Sequence, residues 1–311
     1  MFIPDLKARI HEEFGSLYGE ALILPSSGSF SPIFFWMDIR TALCKFFQNK
    51  IEKPINPGKK IKDIQEKEGE GVIFVNLFTD KSGAGSWVSK SYHPLVLTLG
   101  NLTKEQQEKD ESKVIVGWIP VLTDSYLEEL DCSSIASLAR TLCYHNCFKQ
   151  FLSPVMEQSA EGFEFDVNGE LRKFKVVINF LLGDLQDQYK AATKKGASWN
   201  LLEAPCITCQ VPGNQLQTIE KEWPYRRKEE YEEVEKFVEK LQTSTSETNT
   251  TSLVTEWKRL DALDLVPIPN SFFKLPYFSM NLDFPPDRDH HYLGGLLQRV
   301  FINLKSLVEN L

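Results

Sequence analysis

Nowhere in this 311-residue chain do apolar residues run on for the roughly 20 positions that a membrane-spanning helix requires. The start, MFIPDLKARIHEEFG, lacks a positive segment followed by an apolar stretch, so a secretory signal is not expected. The expected address is nuclear or cytoplasmic, not secreted. Six cysteines at irregular spacing are too few for a disulfide framework in a chain of this length. Positive charge is short: 35 Lys and Arg against 43 Asp and Glu leave a formal charge of −8. That balance argues against a protein whose main task is gripping nucleic-acid phosphates over a broad basic face. The patterns G-x-x-x-x-G-K-[ST], G-x-S-x-G and H-E-x-x-H are all missing, which removes P-loop NTPases, α/β-hydrolases and common zinc proteases. What remains is an ordinary globular composition, 42% apolar and 25% charged, without internal repeats. The length suits one large domain or two ordinary ones.

The most apolar segments read as strands. VIFVNLF at 72–78 is a near-continuous run of branched and aromatic residues, as in a strand buried on both faces, and TDKSGAG at 79–85 stops it with turn chemistry. YHPLVLTL at 92–99 and VIVGWIPVL at 114–122 follow with short connections, which predicts an antiparallel meander. Apolar residues at helical spacing predict a helix over about 133–157, and Asn168-Gly169 between two aromatic stretches predicts a hairpin. KVVINFLL at 175–182 is a second buried-type strand, with a helix expected over about 185–195. Before the first strand, SPIFFWMDIRTALCKFFQNK at 31–50 has helical spacing, and the charged stretch 59–71 reads as a surface connector. Later come a charged helix over 220–242, a polar loop TSTSETNTTS at 243–252, a short helix over 253–263 and a final helix from about 287.

Two acids stand just past the two most buried strands, Asp80 after VIFVNLFT and Asp184 after VVINFLLG. A carboxylate at a sheet rim is partly desolvated yet reachable, and a pair of them supplies the hard oxygen ligands that Mg²⁺ or Mn²⁺ takes. Two such ions about 4 Å apart activate a water and stabilise the leaving oxygen of a phosphodiester. The plainer alternative is that each Asp forms a turn or caps a helix. The element order, strand-Asp, two strands, helix, strand-Asp, helix, matches an RNase H-like α/β fold with a mixed sheet flanked by helices. Cys206-Ile-Thr-Cys209 reads as half a metal site or as plain thiols. Cys143-x-His145-x-Cys147 spreads its side chains around a helix and so reads as core packing. Arg226, Arg227 and Lys228 form the one compact basic-aromatic patch, able to touch DNA phosphates or simply to open a solvated helix.

A series of blocks in order carries a family resemblance. LFTDKS at 77–82 and YHPLVLTLGNL at 92–102 are followed by IVGWIP at 115–120 and by YHNC at 144–147 with FLSP at 151–154. Then come FLLGD at 180–184, CITC at 206–209, VPIPNSFFKLP at 266–276, and PDRDH at 286–290 with Gly295. Over about residues 70 to 300 the chain resembles Plavaka-type transposases of the KDZ and CACTA-like group. One departure is His93, which stands where tryptophan or tyrosine is common before the proline.

The resemblance implies a DDE/D-type transposase core acting on transposon-end DNA, with Asp80 and Asp184 as the first two Mg²⁺ or Mn²⁺ ligands. It implies that Cys206, Cys209 and His290 share a structural Zn²⁺, completed by His291, Asp287 or another cysteine. The third acid is expected at Asp287 or Asp289, at the start of the last helix, or at Glu309 near its end. If it lies beyond the chain, the protein is a truncated, inactive piece. The corresponding layout is a helical and irregular segment over 1–70, an RNase H-like core over 71–200, an insertion with the CxxC and charged helix over 201–285, and a final core helix over 286–311. Beside DNA cleavage and strand transfer stand two alternatives: a decayed or domesticated inactive interaction module, and an RNase H-like nuclease acting on RNA. The acidic balance and the early end of the chain lean towards the inactive form.

Overall fold

The computed structural model describes residues 18–22, 33–48, 59–68, 71–84, 90–129, 136–157, 161–167, 169–195, 203–216, 218, 221–243, 256, 258–285 and 305. Its centre is a mixed seven-stranded sheet. In chain order the strands are β1 (Tyr18–Leu22), β2 (Ile33–Met37), β3 (Val72–Thr79), β6 (Pro94–Leu99), β7 (Val114–Trp118), β8 (Phe163–Val167) and β9 (Glu170–Gly183). They lie side by side as β1-β2-β7-β6-β3-β9-β8. The meander holds, since β3 pairs antiparallel with β6 and β6 with β7. A small ribbon of β4 (Ser82–Ala84) and β5 (Lys90–Tyr92) sits between β3 and β6 in the chain. Among the described residues, the one parallel pairing joins β3 to β9. It is reached through a long crossover that includes two short helices, α3 (Lys104–Gln107) and α4 (Asp124–Glu129), and the long helix α5 (Ala136–Glu157), as parallel neighbours require.

Both inner strands are buried on two faces, as their apolar runs predict. On β3, Ile73, Val75 and Leu77 enter the main core, while Val72 and Phe74 join a smaller cluster on the opposite side. On β9 the same split holds for Val176, Ile178 and Leu181 against Val177. The step from Ile178 to Leu181 breaks the strand's period of two. Asn179 is an extra residue there: Val75 pairs with Ile178, but Asn76 pairs with Phe180. This bulge is clasped by Asn179 Nδ2, which donates to Asn76 Oδ1 at 2.9 Å.

The smaller cluster corrects one expectation. Residues 59–68 form not a connector but a helix, α2 (Lys59–Glu68), because Ile61 and Ile64 at helical spacing suffice to dock it on Phe74 and Val177. The aromatic run before it also divides. Ile33–Met37 is strand β2, and Asp38 then accepts the backbone N–H of Arg40 at 2.9 Å to start α1 (Ile39–Gln48). The 220–242 helix begins later, as Lys228–Thr243. The remainder of the polar loop and nearly all of the final helix fall outside the described residues. Among the described residues, no helix is long and apolar enough to cross a membrane.

Helix α5 lays Tyr144, Phe148, Phe151 and Leu152 on the main core face. His145 of the C-x-H-x-C stretch is core, as its helical placement predicts. Its Nε2 donates to the Lys190 carbonyl at 2.8 Å and its Nδ1 accepts the Ser271 backbone N–H at 3.1 Å. Those bonds fix the neutral ring. Burial pushes its pKa down to about 4, against a smaller opposing pull from the Lys190 carbonyl. Because the folded value lies below that of the unfolded chain, this stabilisation is complete above about pH 6.5 and is lost as pH falls towards 4. Its size is about 3 kcal/mol, since each tenfold change in proton affinity corresponds to roughly 1.4 kcal/mol. Urea unfolding at pH 7 and pH 4.5 should show the loss, and His145→Gln should flatten it; equal pH slopes for both proteins would refute the assignment.

Candidate functional site

Beyond the bulge the parallel pairing runs unbroken to its end, where Thr79 lies opposite Gly183. Asp80 and Asp184 are the next residues after each strand and so leave the same sheet rim side by side. A close approach of backbones makes this exit tight. A Cβ on Gly183 would stand 2.6 Å from the Thr79 carbonyl oxygen, so the glycine of LLGD is required by space. Beyond it, Asp184 caps helix α6 (Leu185–Ala191), with its Oδ1 accepting the Asp187 backbone N–H at 2.7 Å. The capping role expected as the plain alternative is therefore present, and it occupies one oxygen of the carboxylate.

One turn into α6 lies a carboxylate that sequence reading missed. Asp187 is 2% exposed; its Oδ2 meets His93 Nε2 at 2.8 Å, and its Oδ1 takes Lys190 Nζ at 2.8 Å. The same His93 nitrogen is 2.7 Å from the Thr79 hydroxyl, so the network ties α6 to the last residue of β3. Burial by itself raises the Asp187 pKa, but the hydrogen bond and charge of His93, with Lys190, outweigh it and hold the carboxyl below its usual range. The signal available in sequence was slight: His93 stands where the resembling family has an aromatic residue, and Asp187 sits three places after Asp184.

A pocket opens beside this network, walled by Lys81, His93, Arg140, Tyr144, Lys190 and the segment 119–122. Tyr144 is 1% exposed, and its hydroxyl lacks a hydrogen-bond partner among the described residues. Burial, then the charges of Asp187 and Asp184, push its pKa well up, so the phenol stays protonated.

The CxxC lies elsewhere, in a loop stitched to the core. Cys206 Sγ accepts the backbone N–H groups of Thr208 at 3.3 Å and Cys209 at 3.4 Å, which gathers both cysteines around one tight turn. Arg226, expected at a DNA-facing patch, is instead 3% exposed. Its guanidinium donates to the carbonyls of Cys206 at 2.8 Å and Ala204 at 2.6 Å and pairs with Glu230 at 3.3 Å. Only Arg227 and Lys228 of that patch are exposed. Lys194, 1% exposed, donates to the carbonyls of Ala204 and Leu263; burial, then the nearby Arg226, pushes its pKa down to about 7.

The structure thus brings Asp80 beside Asp184 and Cys206 beside Cys209. Asp287, Asp289, His290, His291 and Glu309 lie outside the described residues. Among the described residues, no group of three or more His, Cys, Asp or Glu side chains is disposed to hold a metal ion. No curated protein matches the chain. The model of the Plavaka transposase family matches residues 47–300, which span β3, β9 and both acids, and the chain belongs to that family.

Proposed function

We propose that the rim carrying Asp80 and Asp184 is the site of metal-dependent DNA strand cleavage and strand transfer, on an RNase H-like core. The observation that carries this reading is the register of β3 with β9, which sets two carboxylates at neighbouring strand ends. Family membership supports a transposase-like function acting on DNA. The strand order β7-β6-β3-β9, with one helix before the β8–β9 hairpin and another after it, supports the RNase H-like reading.

The donor set fits a hard divalent ion, since both groups are carboxylates at a sheet end and the cap uses only Oδ1 of Asp184. Asp80 and Asp184 would hold Mg²⁺ or Mn²⁺, with Asp287 or Glu309 as the third acid. Such ions, when bound, supply an activated water and charge relief at the leaving oxygen. The protein's own part is positional: Gly183 lets the strands close, and the Asp187–His93 pair fixes α6 behind the rim. Incubation of the chain with DNA bearing its element ends, with Mg²⁺ or Mn²⁺ against EDTA, tests the reading by metal-dependent nicking. A second reading, an inactive interaction module, is favoured by the charge of −8 and by the capping duty of Asp184. It predicts no nicking under any metal.

Cys206 and Cys209 would hold a structural Zn²⁺ with His290. The tight turn that sets the backbone N–H groups of Thr208 and Cys209 on Cys206 Sγ is the local geometry of a CxxC half-site. Elemental analysis should find about one zinc per chain, lost on Cys206→Ser. Metal-free protein with both thiols rapidly alkylated would leave the pair as plain cysteines.

A further inference from the structure

In a chain of formal charge −8, the pocket beside the rim is lined, among the described residues, by three cations, Lys81, Arg140 and Lys190, and by no carboxylate. Its placement follows from three elements. Lys81 directly follows Asp80. Arg140 and Tyr144 lie four residues apart on α5 and so share one helix face. Lys190 extends from α6 with its Nζ 5.9 Å from the centre of the Tyr144 ring. The cations that are already paired keep donors in reserve. Lys190 binds Asp187, one contact for an ammonium with three N–H groups, and Arg140 binds Asp124 and the Leu122 carbonyl, two contacts for a guanidinium with five. The hydroxyl of Tyr144 is the unusual member, because a buried donor without an acceptor costs about 1–3 kcal/mol unless something arrives to accept it. Three cations and a buried phenol hydroxyl without a partner among the described residues together describe a seat for an anion.

We infer that this pocket binds a backbone phosphate of the DNA strand that runs past Asp80 and Asp184. The inference rests on the DNA reading above and adds the subsite that would hold the strand still. Lys81, Arg140 and Lys190 supply charge to the phosphate, and the Tyr144 hydroxyl donates to one of its oxygens. Contacts of this kind position a strand without reading its sequence. The neighbouring carboxylates give the site a direction, because a phosphate attracted here and repelled by Asp80 and Asp184 in the absence of metal can settle only beside the rim.

The test uses the full chain, wild type and the variants Lys81→Gln and Tyr144→Phe, in EDTA so that binding is read apart from cleavage. Lys81 is exposed, and phenylalanine keeps the ring of Tyr144, so both variants should fold. Fluorescence anisotropy with a labelled duplex oligonucleotide should show affinity falling about tenfold in Tyr144→Phe, as one hydrogen bond to a charged group is lost. In Lys81→Gln, the slope of log affinity against log salt should fall by about 0.9, the loss of one phosphate contact. A duplex carrying a neutral methylphosphonate in place of the bound phosphate should weaken the wild type more than Lys81→Gln, which has one charge contact fewer to lose. Wild-type DNA affinity and salt slope retained in both variants would overturn the inference. If the wild type binds no DNA, the DNA reading fails by itself, and the pocket is judged with inorganic phosphate by thermal shift. Stabilisation lost in both variants would then keep an anion site, and stabilisation equal in all three proteins, or absent in all, would remove it.

Discussion

Asp80→Asn should lower metal-dependent nicking by about a hundredfold or more while leaving the protein folded. The amide keeps the shape of the side chain but not the charge that holds a divalent ion, and several kcal/mol of charge stabilisation correspond to two or more decades in rate. Asp184 offers a sharper version of the experiment, because its two duties separate. Asp184→Asn keeps an oxygen for the Asp187 backbone N–H, so the cap on α6 survives and only the metal role is lost. Asp184→Ala loses both and should cost about 1 kcal/mol of stability besides the activity. Nicking that persists in Asp80→Asn and Asp184→Asn would move the chemistry away from this rim.

The largest effect on stability belongs to Asp187→Ala, with an expected loss of about 3 kcal/mol in urea denaturation at pH 7. The carboxylate is nearly inaccessible, and its removal leaves His93 and the Thr79 hydroxyl in a buried space without the group that organises them. Lys190, whose side chain is 26% exposed, can turn to water and soften the loss. Asp187→Asn should cost less, since its oxygen still accepts from His93 Nε2. The pH dependence has a definite sign. The folded carboxyl titrates below its ordinary value, so its stabilisation is present above about pH 4 and disappears as pH falls through the depressed value. A loss under about 1 kcal/mol in Asp187→Ala would mean that desolvation of the trio cancels its attraction.

Sequence reading reached what local pattern governs. Two apolar runs too continuous for a half-exposed strand gave the inner strands of the sheet, and the acids beyond them emerged together because the runs had to pair. Asn168-Gly169 marked a hairpin, with Gly169 at φ +85° and Val167 paired to Glu170. What stayed hidden depends on contacts between distant residues. The Asp187–His93 bond spans 94 residues, and neither residue has a neighbour in sequence that announces it. Arg226 lay within a basic triplet that reads as solvent-facing, yet two carbonyls of the CxxC loop draw it inside. Helix α2 was concealed by its composition: eight polar residues in KKIKDIQEKE outweigh the two isoleucines that dock it.

The extra residue at Asn179 makes the rim sensitive to length as well as to composition. Ahead of it, even-numbered residues of β9 face the main core; after it, the odd-numbered Leu181 does so. Losing one residue anywhere between there and the strand's end would not simply shorten a loop. It would draw Asp184 back by one strand step, about 3.3 Å, relative to Asp80, or turn the apolar residues behind it to the wrong face. Substitutions in β9 can be absorbed one side chain at a time, whereas a single-codon deletion would alter the spacing of both acids at once. Lineages that keep the paired acids should therefore vary the letters of KVVINFLLGD while preserving its count.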